Sequence, residues 1–153
     1  VLILECVQDA GNVGTLLRTA AAAGVGTVLA TTGTAQVGSP RVLRAGMGAH
    51  FGLQLIEHLT LDEVIAQLHI PLYVTSSHAE TTVYGLDLTA PCAWILGNEG
   101  QGASAAALDQ ARAVSLPQPG GQESLNVAGA GSICLYEMVR QRWTLSHSPT
   151  MLK

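Results

Sequence analysis

A chain of 153 residues fits one domain and is long enough to bury roughly 68–70% of its unfolded surface, so neither disulfides nor a metal are needed to staple it. It is 48% apolar with a single Phe and 4% aromatics, which predicts a core of Leu, Val, Ile and Ala, the material of buried parallel strands. Seven Lys and Arg against eleven Asp and Glu give a formal charge of −4, which excludes a protein that coats nucleic acid over its whole surface; any nucleic-acid role must be local, or borrowed from a partner chain or another domain.

No apolar run approaches the roughly 18 residues of a membrane span and nothing resembles a secretory signal, so a soluble, cytoplasmic protein without membrane contact is expected. Cys6, Cys92 and Cys134 fall in apolar segments without zinc-like spacing and are expected as buried thiols. The five histidines are scattered singly, and no metal is expected. The chain opens on Val1 inside an apolar run and reads as a domain cut from a longer protein.

In chain order, ValLeuIleLeuGluCysVal at 1–7 is an almost continuous apolar run, the pattern of a strand buried on both faces. Asn12 reads as a helix N-cap, and Val13, Leu16, Leu17 and Ala20 keep helical spacing until Gly24. A second strand is expected at 25–30. Ser39 and Pro40 mark a helix start, with Arg41 and Arg44 on a short turn before GlyMetGly at 46–48. Thr60 and Glu63 form a capping box that opens a helix to about Leu68, and 71–75 is a further strand. From Ser76 to Pro91 the pattern weakens into a loop. CysAlaTrpIleLeu at 92–96 is a buried strand, 103–110 a short Ala-rich helix and 113–117 the last strand. Val127, Gly131, Cys134 and Met138 then form one stripe of a helix to about Trp143, suited to the core or to an interface. Strands alternating with helices predict one α/β domain, a parallel sheet with helices on both faces.

Common nucleotide and hydrolase signatures are missing. There is no Walker A sequence, Leu29 stands where a G-x-G-x-x-G begun at Gly24 needs its third glycine, and Gln122 and Asn126 flank Ser124 where G-x-S-x-G requires glycines. Three polar turns stand out instead, each leaving a strand and opening a helix, which is how open α/β proteins build ligand sites. They are AspAlaGlyAsnValGlyThrLeuLeuArg at 9–18, GlyAsnGluGlyGlnGly at 97–102 and GlnGluSerLeuAsnVal at 122–127. Gly97, Gly100 and Gly102 permit a tight turn and close approach of backbone to a ligand, beside the polar groups of Asn98 and Glu99. Each feature also has a plainer reading: a strand-to-helix connection at 97–102, helix capping by Ser124 and Asn126, and a solvated side chain for Arg18, which lies far around its helix from Leu16, Leu17 and Ala20.

Read together, the stretches that contain these turns, residues 9–20, 95–102 and 115–127, with LeuTyrGluMetValArgGlnArg at 135–142, closely resemble the three motifs of the SpoU, or TrmH, branch of the SPOUT RNA methyltransferases. ArgAlaGlyMetGlyAlaHisPhe at 44–51 is similar to the family's middle segment, and the likeness spans nearly the whole chain. The resemblance implies an α/β sheet whose C-terminal part is threaded into a trefoil knot, against the rule that chains are unknotted. It implies S-adenosylmethionine as methyl donor, a ribose 2′-hydroxyl of tRNA or rRNA as acceptor, a homodimer, and, for many members, an N-terminal RNA-binding domain preceding residues equivalent to 1–153. Carried over by position, Asn12, Arg18, Glu99, Ser124 and Asn126 match the catalytic and polar motif residues. Gly97, Asn98, Gly100, Leu116, Leu125 and Asn126 fall where the family encloses the adenosyl group. Arg18, Arg41 and Arg44 are the expected RNA contacts.

The chemistry follows from residue types. Methyl transfer is an in-line displacement at a sulfonium carbon, so the protein must align the reactants and make the hydroxyl nucleophilic. A guanidinium is essentially always protonated, so Arg18 suits a phosphate or developing alkoxide better than the office of a base, with the proton leaving to Glu99, an RNA phosphate or water. Asn12, Ser124 and Asn126 would orient ribose and phosphate. The rival readings are methylation of a base nitrogen, which Arg18 in the first motif argues against, and a catalytically idle domain that binds S-adenosylmethionine or RNA and dimerises.

Overall fold

A computed structural model describes residues 1–121 and 124–147, so Gln122 and Glu123 of the third turn lie outside the described residues. Six parallel strands run β1 (Leu2–Leu4), β2 (Thr27–Thr31), β3 (Gln54–Leu59), β4 (Leu72–Thr75), β5 (Ala93–Leu96) and β6 (Arg112–Val114), in the order β3-β2-β1-β5-β4-β6. Five helices connect or follow them: α1 (Ala10–Ala22), α2 (Pro40–Gly46), α3 (Leu61–Gln67), α4 (Ala105–Gln110) and α5 (Val127–His147).

The side on which each helix lies follows from handedness. Right-handed crossovers that step in opposite directions along a sheet must place their helices on opposite faces. The connections through α1 and α2 step from β1 out to β3, and those through α3 and α4 step the other way. Accordingly Leu16, Leu17 and Val42 share one core layer with Leu2, Trp94 and Leu96, while Val64 and Ala107 share the other with Ile3, Val74 and Ile95. Helix α5 covers the first layer, where the expected stripe of Val127, Gly131, Cys134 and Met138 is buried. Gly131 marks a close approach there: a Cβ would stand 2.5 Å from Leu16 Cδ2 and 2.6 Å from Leu96 Cδ1, so these two leucine side chains would have to turn aside to admit any larger residue between α5, α1 and β5.

Several expectations are corrected. The N-cap of α1 is Asp9, whose Oδ1 accepts the Asn12 N–H at 2.8 Å; Asn12 sits inside the first turn with its side chain free for other work. The first strand stops at Leu4, because Cys6 adopts a left-handed φ of 55° that turns the chain out of the sheet. Strand β6 ends at Val114, before the expected 117. Strand β3 was not foreseen. It is an edge strand in which exposed and half-buried residues alternate, and its inward row includes Glu57, whose carboxylate accepts the Val37 N–H at 2.8 Å. The 76–91 loop is more ordered than its pattern suggests: Gln141 bonds Leu88 N and Leu86 O, while Arg142 donates to the carbonyls of Leu88 and Ala90. The capping box on α3, the Ser39 cap of α2 and the buried α5 stripe match expectation.

Cys92 and Cys134 are buried, whereas Cys6 is only half-buried. Burial pushes the Cys134 thiol up to about 12 and raises that of Cys92 as well, so both stay protonated at neutral pH. A thiol reagent at pH 8 is expected to label Cys6 alone in the native protein and all three cysteines in denaturant, as counted by absorbance. Fast labelling of Cys134 in the native state would contradict this core.

Candidate active site

The chain leaves β1 and steps one way along the sheet, and leaves β5 and steps the other, so the loops after these neighbouring strands diverge and open a crevice at their C-terminal ends. After β5 the turn is built by its own polar residues. Asn98 Oδ1 accepts the N–H groups of Gly100 at 2.9 Å and Gln101 at 3.0 Å, and its Nδ2 donates to the Cys6 carbonyl at 2.9 Å. Gly97 has no room for a side chain, because a Cβ would lie 2.6 Å from the backbone of Gly102, and Gly102 itself takes a φ of +71°. Beyond the turn, Ser104 caps α4 and donates its hydroxyl to the buried Glu5 at 2.7 Å.

Glu99 reaches across to the loop after β1. Its carboxylate accepts the N–H of Asp9 at 2.9 Å and of Gln8 at 3.1 Å, and the Asn12 amide approaches at 3.5 Å. Partial burial pushes its carboxyl up, but the donors of Asp9, Gln8 and Asn12 together outweigh this and hold it below the usual glutamate value. Because its folded value is depressed, the contribution of this tie is present above the ordinary carboxylate range and is lost only as pH falls through that lowered value. From the third turn, Asn126 caps α5 through the N–H groups of Ala128 and Gly129, and its Nδ2 donates to Asn12 Oδ1 at 3.1 Å. A continuous line of polar contacts, Glu99 to Asn12 to Asn126, therefore joins the three turns. Asn126 does cap a helix, as the plainer reading held, and the same side chain also builds this line.

Under these turns lies a cavity of about 570 Å³, within the range of small-molecule sites. Asn12, Gly97, Asn98, Glu99, Gly100, Leu116, Ser124, Leu125 and Asn126 all line it, so nine of the expected positions converge on one place. Arg18, Arg41 and Arg44 do not. They are exposed on α1 and α2, outside the cavity, and form no hydrogen bond or ion pair among the described residues. Sequence reasoning missed the end of β4 and the segment after it, where Thr75, Ser76, Ser77 and His78 line the cavity, and Leu108 of α4. The signal was present: the apolar 71–75 run ends in polar residues at the same edge as the other two turns, but without glycines it read as plain loop.

A doubly covered parallel sheet whose strand-end turns meet around one concave polar site is an α/β ligand-binding domain. This chain belongs to the SpoU rRNA Methylase family, whose model matches residues 1–136. It is 40% identical over 149 residues to an uncharacterized tRNA/rRNA methyltransferase of Synechocystis sp., covering 95% of this chain and 54% of that protein. It is 37% identical over 151 residues to the 23S rRNA (guanosine(2553)-2′-O)-methyltransferase RlmP of Bacillus subtilis, covering 90% and 57%. The structure of the SpoU methyltransferase AviRb from Streptomyces viridochromogenes in complex with the cofactor AdoMet superposes with a TM-score of 0.87 at 31% identity, covering 94% of this chain and 60% of that one. The chain thus spans a little over half the length of each of these three relatives.

Proposed function

We propose that this domain transfers a methyl group from S-adenosylmethionine to a ribose 2′-hydroxyl of ribosomal or transfer RNA. The observation that carries the reading is the line from Glu99 through Asn12 to Asn126, which draws the three turns around a single cavity. The names of RlmP and of AviRb with its cofactor support it for relatives of the same family.

The residues present fit the donor. Leu108, Leu116 and Leu125 offer apolar walls for an adenine ring, and the Gly97–Gly102 turn, too tight for any side chain at 97, offers bare backbone. Bound there, S-adenosylmethionine supplies an activated methyl group on a positively charged sulfur. The chain's own residues do the rest. Asn12 and Asn126 are held by one another and hold the ribose; Ser124, unencumbered at the cavity edge, adds a hydroxyl to the same task. Glu99 has both oxygens engaged by backbone N–H groups and a lowered pKa, which makes it a positioning residue rather than the proton acceptor. The proton then leaves to an RNA phosphate or water. Arg18 lies six residues beyond Asn12, about 9 Å along the helix axis, with its guanidinium unengaged, and binds the RNA phosphate or the developing alkoxide at the rim.

The reading carries further expectations from the family likeness: a C-terminal trefoil knot, an RNA-binding segment elsewhere in a longer chain, and a cytoplasmic homodimer. No described helix is long and apolar enough to cross a membrane. Outward-facing Ile133 and Tyr136, one turn apart on α5, offer the apolar surface for a second copy. Light scattering at micromolar concentration is expected to give a dimer; a monomer would overturn that part.

Titration calorimetry with S-adenosylmethionine, followed by mass-spectrometric mapping of 2′-O-methyl nucleosides on unmodified rRNA and tRNA, tests the whole. One molecule bound per protomer, insensitive to chelator, and new ribose methyl groups are expected. Asn126→Ala, which breaks both the α5 cap and the link to Asn12, should weaken binding and turnover together. No heat at millimolar ligand would overturn the assignment.

A further inference from the structure

The described residues include six arginines, and three of them are spent within the fold. Arg112 donates to Thr81, Arg140 pairs with Glu137, and Arg142 holds the carbonyls of Leu88 and Ala90. The three that bond to nothing, Arg18, Arg41 and Arg44, all lie on α1 and α2. These helices are in backbone contact: a Cβ on Gly14 would lie 2.4 Å from Ala45 Cβ and 2.8 Å from the Val42 carbonyl, so α2 sits against the turn of α1 that lies between Asn12 and Arg18. Among the described residues of a chain of net charge −4, the unengaged guanidinium groups are therefore collected on two packed helices, one of which carries Asn12 of the cavity.

Packed on the same two helices is the turn that carries the chain's only phenylalanine. Phe51 is 97% exposed, and in the preceding helix and its cap Leu43 and Met47 are exposed at 46% and 70%. Its exposure belongs to a pinned segment. After the left-handed pair Met47 and Gly48, the 3-10 turn Ala49–Gly52 is anchored by His50, whose Nε2 lies 2.6 Å from the Val37 carbonyl and whose ring fills the space a side chain at Gly46 would need. An aromatic ring presented to solvent on a fixed turn, packed on the two helices that carry the arginines without partners among the described residues, has the two parts of a single-strand platform: a π-face for a base and cations for its phosphates.

We propose that Phe51 stacks an unpaired base of the RNA substrate while Arg41 and Arg44 hold the adjoining phosphates, so that the domain selects single-stranded or looped RNA over duplex. The inference rests on the RNA-directed reading above and names the substrate class for it. Duplex bases are already stacked and offer no free face, whereas splayed bases in loops do. A second copy of the chain suits this face less well, because an isologous contact across it would bring the three unpaired arginines toward their own copies.

The test uses fluorescence anisotropy at low salt with a labelled unstructured RNA dodecamer and the blunt duplex of the same sequence. The unmodified protein should prefer the single strand. Phe51→Ala should weaken single-strand binding roughly 5- to 150-fold, the range for loss of one aromatic stacking partner, with duplex binding within about twofold and S-adenosylmethionine affinity unchanged by calorimetry. Phe51→Trp should restore it, and Arg41→Ala with Arg44→Ala should lower the salt dependence by about 1.4 in log–log slope. Equal binding by Phe51→Ala, no single-strand preference in the unmodified protein, or a Phe51→Ala protein that changes from dimer to monomer would each overturn the proposal. Failure of the methyl-transfer reading shows separately, as loss of cofactor binding and of product in the unmodified protein.

Discussion

Arg18→Ala should lower methyl transfer by about 10²–10³-fold, the usual cost of removing one preorganised charge-stabilising donor, and leave S-adenosylmethionine affinity nearly intact. The split follows from place: Arg18 is exposed on α1, outside the cavity, and supports no other residue, so its loss disturbs neither the turns nor the fold. Single-turnover kinetics on a validated RNA, with calorimetry alongside, separates the two effects. Near-normal turnover would overturn the role proposed for Arg18 at the ribose hydroxyl. Arg18→Lys keeps the charge but not the planar fork and should recover only part of the rate.

Gly97→Ala should show the opposite pattern. The added methyl would meet Gly102 C and O at 2.6 Å and Ala103 N at 2.7 Å, all backbone atoms that no rotamer change can move aside. The 97–102 turn must then open, which takes Asn98 and Glu99 from their partners and removes the backbone wall of the cavity. A stability loss of about 1–3 kcal/mol is expected by thermal melting, together with a loss of cofactor binding by tenfold or more. An unchanged dissociation constant would show that the turn does not form the cofactor site.

Much of this was legible in the sequence because the signals were strong and local. Buried parallel strands such as 92–96 announce themselves as apolar runs, and Thr60 with Glu63 reads as a helix start because both reciprocal bonds form within one turn. Strand β3 was not legible, since an edge strand with Glu57 on its inward row lacks both a continuous run and a clean alternation. The assignment of Asn12 as a cap failed for an instructive reason: Asp9 and Asn12 are both good caps, and only the loop geometry fixed by Glu99 decides that Asp9 takes the position. The motif residues of the three turns were visible as a set by their likeness to a family. The wall formed by Thr75 to His78 was not, because its place depends on the order in which strands pair, which no local pattern encodes.

The polar line that joins the turns has a consequence for how the domain comes into being. Asn12 meets Glu99 across 87 positions and Asn126 across 114, so the first turn waits for the start of α5 before its partners exist. During synthesis from the N-terminus, β1, α1, β2 and α2 can assemble early through near neighbours, whereas the pocket closes last, when α5 leaves the ribosome and lies down on α1. A prematurely terminated product that lacks α5 would keep much of its sheet yet have no working centre. Any ligand that needs all three turns would accordingly be held only by chains in which α5 has docked, and copies not yet extended through α5 would lack the site.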